Sequence, residues 1–330
     1  MSTSAAYRMS SLPLPSYPPN VAPKPLTLAF DPHSLVDAVE TVLKGHRQAV
    51  ELAVIALLCE GHLLIEDVPG TGKTTLARAL GRAIDAHVSR IQFTPDLLPS
   101  DIVGVSVYRQ ATGTFDFTPG PIFANVVIAD EINRASPKTQ SAMLEAMQEK
   151  QVTVDGVTLP LPGMFIVIAT QNPFEMEGTY PLPEAQRDRF MIRMSLGYPS
   201  YNDELLMLDS QELSDPLDDV RPVITASDVS GLIASVRSLH ASQAIKQYIV
   251  DLARATRDLP GVRLGVSPRA GIQLLRAAKG AAALESRRFV IPDDVQKMVP
   301  YVWGHRLAQV AGERSSEETL RELVGRVKVR

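Results

Sequence analysis

Residues 61–82 read GHLLIEDVPGTGKTTLARALGR, and this stretch decides the fold. It begins with a short apolar run, 62–66, of the kind that forms a buried parallel strand, and it ends with apolar residues at helical spacing. Between them lies a loop in which Gly70 and Gly72 let the backbone approach a polyphosphate closely, with amide groups and the helix N-terminus directed at the anion. A strand, a glycine-containing loop and a helix in this order predict a phosphate-binding loop.

The loop also predicts individual roles. We expect Lys73 to reach the β- and γ-phosphates of ATP and the Thr74 hydroxyl to ligate Mg²⁺. Asp67 stands six residues before Lys73, where the generic pattern has glycine. An ordinary turn before a helix is the alternative, but the preceding apolar strand favours a nucleotide site. The predicted cofactor-binding residues of the loop are Asp67, Val68, Pro69, Gly70, Thr71, Gly72, Lys73, Thr74 and Thr75.

Two carboxylates close a second apolar strand, residues 125–131 (NVVIADE). We expect Asp130 to hold the magnesium shell and Glu131 to orient and activate the attacking water. A solvated strand end with surface acids is the alternative, although burying unpaired carboxylates would be costly. Asn172 follows the next apolar strand, 165–170, and is predicted to hydrogen-bond the water or the γ-phosphate.

Composition limits the class of protein. The chain has 330 residues, enough for two domains, and its 21% charged and 45% hydrophobic residues are ordinary for a soluble globular protein. A net charge of -4 gives no general attraction to nucleic acid, so nucleic-acid binding is not expected. The single cysteine, Cys59, excludes a disulfide within the chain, and no apolar run is long enough to span a bilayer. We expect a cytoplasmic protein with no membrane insertion and no structural zinc.

The pattern along the chain predicts three parts. Residues 1–30 are rich in proline and are expected to form a flexible tail. In 31–198, apolar strands alternate with helices, which predicts an α/β fold with a parallel sheet covered on both faces. Two β-hairpins are predicted within this part, at 103–118 and at 151–159, the latter around Asp155-Gly156. Helical patterns dominate 199–330, which predicts a helical second domain.

Three arginines are candidates for a role in phosphoryl transfer. Arg187 and Arg189 come just before the second domain, and Arg269 opens a helix within it. Each could be a plain surface charge. An arginine that reaches a γ-phosphate in another subunit, however, can stabilise the charge that develops during hydrolysis.

The order of four segments resembles that of the MoxR family of AAA+ ATPases over about residues 35–323. The segments are DVPGTGKTTLARAL, NVVIADEINRASPKTQSAMLEAMQE, FIVIATQNPFEMEGTYPLPEAQRDRF and GVSPRAGIQLL. The resemblance implies an AAA+ core with β-hairpin inserts, followed by a small all-α lid domain. It places Lys73 and Thr74 in the Walker A motif, Asp130 and Glu131 in the Walker B motif, Asn172 at sensor 1, Arg269 at sensor 2, and Arg189 at the arginine finger.

The resemblance also implies cofactors and partners. It implies hydrolysis of ATP with Mg²⁺ in a homo-oligomer, a hexameric ring whose pore is faced by both hairpins. Gly45 and His46 would lie beside the adenine, where relatives usually carry a Gly-Gln pair. The partners implied are a client protein, remodelled or activated as by a chaperone, and a protein with a von Willebrand factor A domain.

Two other functions use a similar core. A nucleic-acid motor or regulator is one, and the acidic pI of about 5.9 counts against it. The ATPase subunit of a magnesium chelatase-like complex is the other, and a porphyrin-processing partner would distinguish it.

Overall fold

A computed structural model describes residues 30–111, 113–173, 178–211, 215–309 and 315–329. The predicted tail, 1–30, lies outside them except for Phe30. The strands are β1 (Leu63–Glu66), β2 (Val88–Gln92), β3 (Gly104–Arg109), β4 (Thr114–Pro119), β5 (Val126–Asp130), β6 (Gln151–Val154), β7 (Val157–Pro160), β8 (Ile166–Gln171), β9 (Ile192–Met194), β10 (Val262–Leu264) and β11 (Ala308–Gln309).

Helices occupy most of the remaining described chain, together with two 3₁₀ turns at Ile132–Arg134 and Pro216–Asp219. The helices are α1 (His33–Glu40), α2 (Arg47–Leu58), α3 (Lys73–Ala83), α4 (Pro99–Val103), α5 (Pro137–Glu149), α6 (Glu184–Arg187), α7 (Tyr201–Gln211), α8 (Ala226–Ser238), α9 (Gln243–Arg257), α10 (Pro268–Leu284), α11 (Pro292–Trp303) and α12 (Ser316–Arg326).

The central sheet has five parallel strands in the order β2-β5-β8-β1-β9. Every residue of β5 is buried, and so is β8 up to its last residue, because helices cover both faces of the sheet. Since all five strands run in one direction, the sheet has two chemically different edges. The carboxyl edge carries the segments that follow β1, β5 and β8, and the amino edge carries the segments that precede β1 and β9.

Both predicted hairpins are present. Strands β3 and β4 pair antiparallel from Gly104 with Pro119 to Arg109 with Thr114, and β6 pairs with β7 around the Asp155-Gly156 turn. The rings of Tyr108 and Phe115 lie 5.2 Å apart on β3–β4 and are largely exposed. The hairpin therefore presents aromatic surface to solvent.

The helical part of the chain packs against the sheet domain through α10 and α2. The Cys59 Sγ, at the end of α2, donates to the Arg276 carbonyl on α10 at 3.1 Å, and burial raises the pKa of this thiol to about 12. Trp303 is fully buried and donates to the Ala270 carbonyl at 3.0 Å. The largest apolar cluster includes residues on both sides of position 198, where the sequence predicts the domain boundary.

The predicted fold class is confirmed: a parallel sheet covered by helices, with β-hairpin inserts and a helical lid. The lid also contains a short antiparallel ladder of β10 and β11, in addition to its helices. Within the described ranges, no helix has both the length and the apolarity to cross a membrane.

Candidate active site

The phosphate loop connects β1 to α3 at the carboxyl edge of the sheet. Gly70 and Gly72 have φ of +85° and +90°, in the left-handed region that glycine adopts without steric cost. Gly72 immediately precedes Lys73, the first residue of α3. The first amides of the helix therefore open onto the loop, which is the arrangement that binds phosphate.

Lys73 is held against the loop itself. Its Nζ donates to the carbonyls of Asp67 at 3.0 Å and Val68 at 2.6 Å. Burial lowers the pKa of this ammonium group, and the nearby carboxylates of Asp67, Asp130 and Glu131 partly oppose that effect. The cation therefore lies within the electrostatic reach of the acidic pair.

Asp67 has a structural role that the sequence does not reveal. Its Oδ2 accepts hydrogen bonds from the Ser195 hydroxyl at 3.0 Å and from the amides of Leu196 and Gly197 at 2.8 and 2.7 Å. Its Oδ1 accepts from the Val68 amide at 2.9 Å. Burial opposes ionisation, but the hydrogen bonds prevail and hold the pKa of this carboxyl below its ordinary value. Asp67 thus fastens the start of the phosphate loop to the segment that follows β9.

One cavity of about 370 Å³ brings the predicted catalytic groups together. From the sequence-predicted set, its lining contains Pro69, Gly70, Gly72, Lys73, Thr74, Thr75, Asp130, Glu131 and Asn172. Asp67, Val68 and Thr71 belong to the loop without lining the cavity, and the Thr71 hydroxyl donates to the Val68 carbonyl at 3.3 Å. The phosphate loop and the acidic pair therefore face one space.

Asp130 is buried at the end of β5. Its Oδ1 accepts from the Thr170 hydroxyl at 2.6 Å, and its Oδ2 is paired with the Arg90 guanidinium, at 3.2 Å from Nε and 2.5 Å from Nη2. Thr170 is on β8 and Arg90 on β2, so the two strands that flank β5 both hold this carboxylate.

Glu131 lies just beyond the strand, which ends one residue earlier than the sequence predicts. Its φ is +56°, and its amide donates to the Thr170 hydroxyl at 3.0 Å. Its carboxylate accepts from the Gln92 amide at 2.9 Å and pairs with the Arg134 Nε at 3.0 Å. Because the chain turns at Glu131, the two adjacent carboxylates have different partners. Their predicted roles, holding magnesium and activating water, also differ.

Sequence reasoning missed several polar residues of this edge, among them Arg90, Gln92 and Thr170. A signal was present in β2, where VSRIQ alternates so that Arg90 and Gln92 share one face. Only the strand order shows that this face adjoins the acidic pair, because it puts Gln92 opposite Asp130 in the register.

Gly45 and His46 lie outside the lining of the phosphate cavity. Gly45 has a φ of +79°, and a Cβ added there would come within 2.3 Å of the Asp203 Oδ2 on α7. His46 is buried directly before α2. A role for this pair beside the adenine stays a prediction.

Arg189 and Arg269 lie at the other edge of the sheet. Arg189 comes three residues before β9, whose first residue, Ile192, pairs in parallel with Leu63 at the start of β1. The phosphate loop follows the other end of β1, so the length of the sheet separates the two sites. Arg189 and Arg269 together line a different cavity, of about 280 Å³, whose charged lining otherwise consists of Glu60, Lys150, Arg237 and Arg276.

The segment carrying Arg189 is fixed by the lid. The buried Arg306 donates to the Asp188 carboxylate at 2.7 Å and to the Asp188 carbonyl at 3.0 Å, and the His305 Nε2 donates to the Phe190 carbonyl at 3.0 Å. Burial lowers the pKa of Arg306 to about 10. Both neighbours of Arg189 in the chain are thus held in place.

Arg187 differs from Arg189 in its surroundings. Its Nε is buried and has no hydrogen-bond partner among the described residues, and its charge is close enough to lower the pKa of the buried His305. Arg269 is about half exposed, and its Nε lies 3.8 Å from the Asp188 Oδ2.

Comparisons with known proteins agree with this geometry. Residues 62–192 match the family described as ATPase family associated with various cellular activities (AAA), and residues 254–323 match the AAA lid domain. A crystal structure of a protein assigned as an ATPase, from Cytophaga hutchinsonii, superposes with a TM-score of 0.84 at 36% identity, covering 90% of this chain and 94% of that one.

Two relatives that the chain covers over most of their length carry the more specific family name, and a third is more similar in sequence. The chain is 40% identical to Chaperone MoxR1 of Mycobacterium tuberculosis over 91% of this chain and 82% of that protein. It is 33% identical to Protein MoxR of Paracoccus denitrificans, over 82% and 86%. It is 51% identical to YeaC of Bacillus subtilis, over 89% and 93%. Together with the phosphate loop, the acidic pair and the lid, these similarities show that the chain belongs to the MoxR family of AAA+ ATPases.

Proposed function

We propose that this ATPase works as a ring, hydrolyses ATP with Mg²⁺ at the contacts between subunits, and uses the energy to remodel or activate a partner protein. One observation carries the proposal. The phosphate loop and the acidic pair line a single cavity at the carboxyl edge, whereas Arg189 and Arg269 lie at the amino edge. A subunit therefore presents its arginines to a neighbour and not to its own nucleotide.

The residues at the carboxyl edge fit a magnesium ion. The Thr74 hydroxyl and the Asp130 carboxylate both line the cavity, and hard oxygen atoms of this kind are the ligands that Mg²⁺ prefers. We propose that these two residues hold it, with Asp130 released from its ion pair with Arg90. When bound, the ion would neutralise charge on the phosphates.

The other residues divide the work of hydrolysis. Lys73 exchanges its two carbonyl acceptors for phosphate oxygens, and Glu131 accepts a proton from the attacking water. Asn172 hydrogen-bonds that water or the γ-phosphate. Arg189 and Arg269 of a neighbouring subunit stabilise the negative charge that develops during phosphoryl transfer.

The proposed partner is a client protein that contacts the β3–β4 hairpin. One relative is named a chaperone, and the exposed aromatic side chains of Tyr108 and Phe115 on the β3–β4 hairpin suit contact with a client protein. We propose a hexamer with both hairpins toward its pore, and a protein with a von Willebrand factor A domain as a further partner, because the family resemblance implies them.

Mixing two inactive variants tests the shared site. Lys73→Ala removes the phosphate contact within a subunit, and Arg189→Ala removes the contribution to its neighbour, so each alone should hydrolyse ATP poorly. In mixed rings some interfaces combine an intact Lys73 with an intact Arg189, so phosphate release should rise well above the sum of the two variants. A mixture that stays at that sum would contradict the shared site. Turnover per subunit of the wild type should also increase with protein concentration.

Capture of the client uses a stalled enzyme. Glu131→Gln should bind ATP and hydrolyse it slowly, so an affinity-tagged variant with ATP should retain a partner that the Lys73→Ala variant does not. Equal recovery of a protein by both variants would count against a nucleotide-dependent client.

A further inference from the structure

Helix α7 exposes an apolar stripe at the carboxyl edge of the sheet. Tyr201, Leu205 and Leu208 recur at i, i+4 and i+7, so they share one face, and they are 76%, 44% and 68% exposed. Glu204 and Asp209 flank the stripe, and the helix contains no basic residue. None of the described side chains of α7 is buried. A helix of this kind has the pattern of one that packs against a partner.

A groove of opposite charge lies between α9 and α10 in the lid. It has a volume of about 530 Å³, and Val250 and Ile272 contribute apolar surface to it at 54% and 57% exposure. Lys246, Arg254 and Arg257 also line it. An apolar floor with a cationic rim is complementary to an apolar stripe with acidic flanks.

The two surfaces lie toward opposite sides of the molecule. Helix α7 follows β9 and reaches the phosphate cavity, which Met207 helps to line. The groove is lined by Pro268 and Ile272 of α10, on either side of Arg269 in sequence, and Arg269 belongs to the amino-edge cavity. Two different patches that match each other join copies head to tail, which is the kind of contact that closes a ring.

We propose that α7 of one copy docks into the α9–α10 groove of the next copy. The inference rests on the ring assembly proposed above and assigns the surfaces that form it. It also explains how the shared site is completed. Docking on α7 brings the first turn of the neighbour's α10, with Arg269, next to the phosphate cavity that α7 overlies.

Charge reversal on each surface tests this pairing. An α7 variant carries Glu204→Lys and Asp209→Lys, and a groove variant carries Lys246→Glu and Arg254→Glu. Each variant alone sets like charges against each other at every contact, so it should sediment as a monomer where the wild type assembles with ATP. Each should still bind a fluorescent ATP analogue, because the phosphate cavity is untouched.

Mixed in equal amounts, the two variants should assemble again. In an alternating ring the reversed α7 meets the reversed groove, and the original α7 meets the original groove, so every contact is complementary. Native mass spectrometry should show equal numbers of both chains, with at least a tenfold gain in ATP turnover over either variant. A control with Glu285→Lys and Asp293→Lys, exposed acids elsewhere on the lid, should assemble like the wild type.

The outcomes separate the two proposals. If the wild type assembles and each reversed variant assembles equally well alone, the α7–groove contact is wrong while the ring stands. Failure of the mixture to assemble, when both variants bind the ATP analogue, would overturn the pairing in the same way. A wild type that hydrolyses ATP as a monomer at every concentration would overturn the ring, and this contact with it.

Discussion

The two edges of the central sheet differ in what they hold and in how they are held. At the carboxyl edge the phosphate loop, Asp130, Glu131 and Asn172 surround one cavity. At the amino edge Arg189 and Arg269 line a second cavity, rich in cations. Because a parallel sheet fixes the distance between its edges, the two arginines of one chain are remote from its own phosphate loop. If they act in hydrolysis as proposed above, catalysis in this fold depends on assembly.

The largest expected effect comes from removing the charge at the amino edge. Arg189→Ala should lower kcat by about 1,000-fold, because a trans-acting arginine is worth about three to five powers of ten in phosphoryl transfer. Affinity for ATP should change little, since Arg189 is remote from its own phosphate loop. Steady-state phosphate release and binding of an ATP analogue measure the two quantities.

Arg187→Ala is the matched control for that change. This side chain is partly buried near His305 and does not line the amino-edge cavity, so turnover per folded subunit should stay within a few-fold of the wild type. Equal losses from both substitutions would end the distinction between the two arginines.

Glu131→Gln tests the carboxyl edge in the complementary way. Loss of a general base typically costs about 100-fold or more in rate, so kcat should fall by about that factor. ATP binding and assembly should persist, because the amide keeps the shape of the side chain. Unimpaired single-turnover hydrolysis would remove Glu131 from the role of base.

The sequence predicts some of the residues at the carboxyl edge but not others. Local motifs predict Lys73, Asp130, Glu131 and Asn172 as site residues, because a strand followed by a characteristic loop places them without knowledge of the rest of the fold, and the structure brings all four to one cavity. Arg90, Gln92 and Thr170 were missed, since their importance depends on which strands are neighbours in the sheet. The role of Asp67 was also hidden, because its four partners include three that lie about 130 residues later in the chain.

Asp67→Ala should loosen the carboxyl edge. The substitution leaves the partly buried amides of Leu196 and Gly197 without their acceptor, which should reduce the free energy of unfolding by about 2 kcal/mol. The pKa of Asp67 is lowered by folding, so its contribution is complete above the ordinary carboxyl pKa and is lost as pH falls through the folded value. Urea unfolding measures the loss. Asp116→Ala, which removes an exposed ion pair with Arg109, should cost less than about 1 kcal/mol.

His62 makes the amino edge sensitive to acid. Its Nδ1 accepts from the Val167 amide at 3.0 Å and its Nε2 donates to the Met147 carbonyl at 3.1 Å, so the ring is neutral. Burial lowers its pKa from 6.5 to about 4. Between pH 6.5 and about pH 4, His62 is protonated in the unfolded chain but neutral in the folded chain. The free energy of unfolding should therefore fall by about 1.4 kcal/mol for each unit that the pH is lowered in this range.

The variant His62→Gln tests whether protonation of His62 causes this pH dependence. It is expected to be less stable at pH 7.5 but to lose less stability between pH 6.5 and 5.5 than the wild type. The buried His305, whose pKa is also well below its ordinary value, should leave a residual slope. Identical slopes for the two proteins in urea unfolding would show that His62 is not responsible.

The smallest expected effect concerns how Glu131 is held before catalysis. Gln92 and Arg134 both bind its carboxylate, and these contacts must be given up before the carboxylate can turn toward an attacking water. Gln92→Ala should therefore raise basal ATP turnover by about three-fold, the equivalent of one weak, partly exposed hydrogen bond of under 1 kcal/mol. Ser230→Ala, at an exposed position of α8, serves as the control and should leave turnover unchanged. A fall in turnover for Gln92→Ala would mean that this amide positions Glu131 for reaction, and the carboxyl edge would then be preorganised within a single subunit.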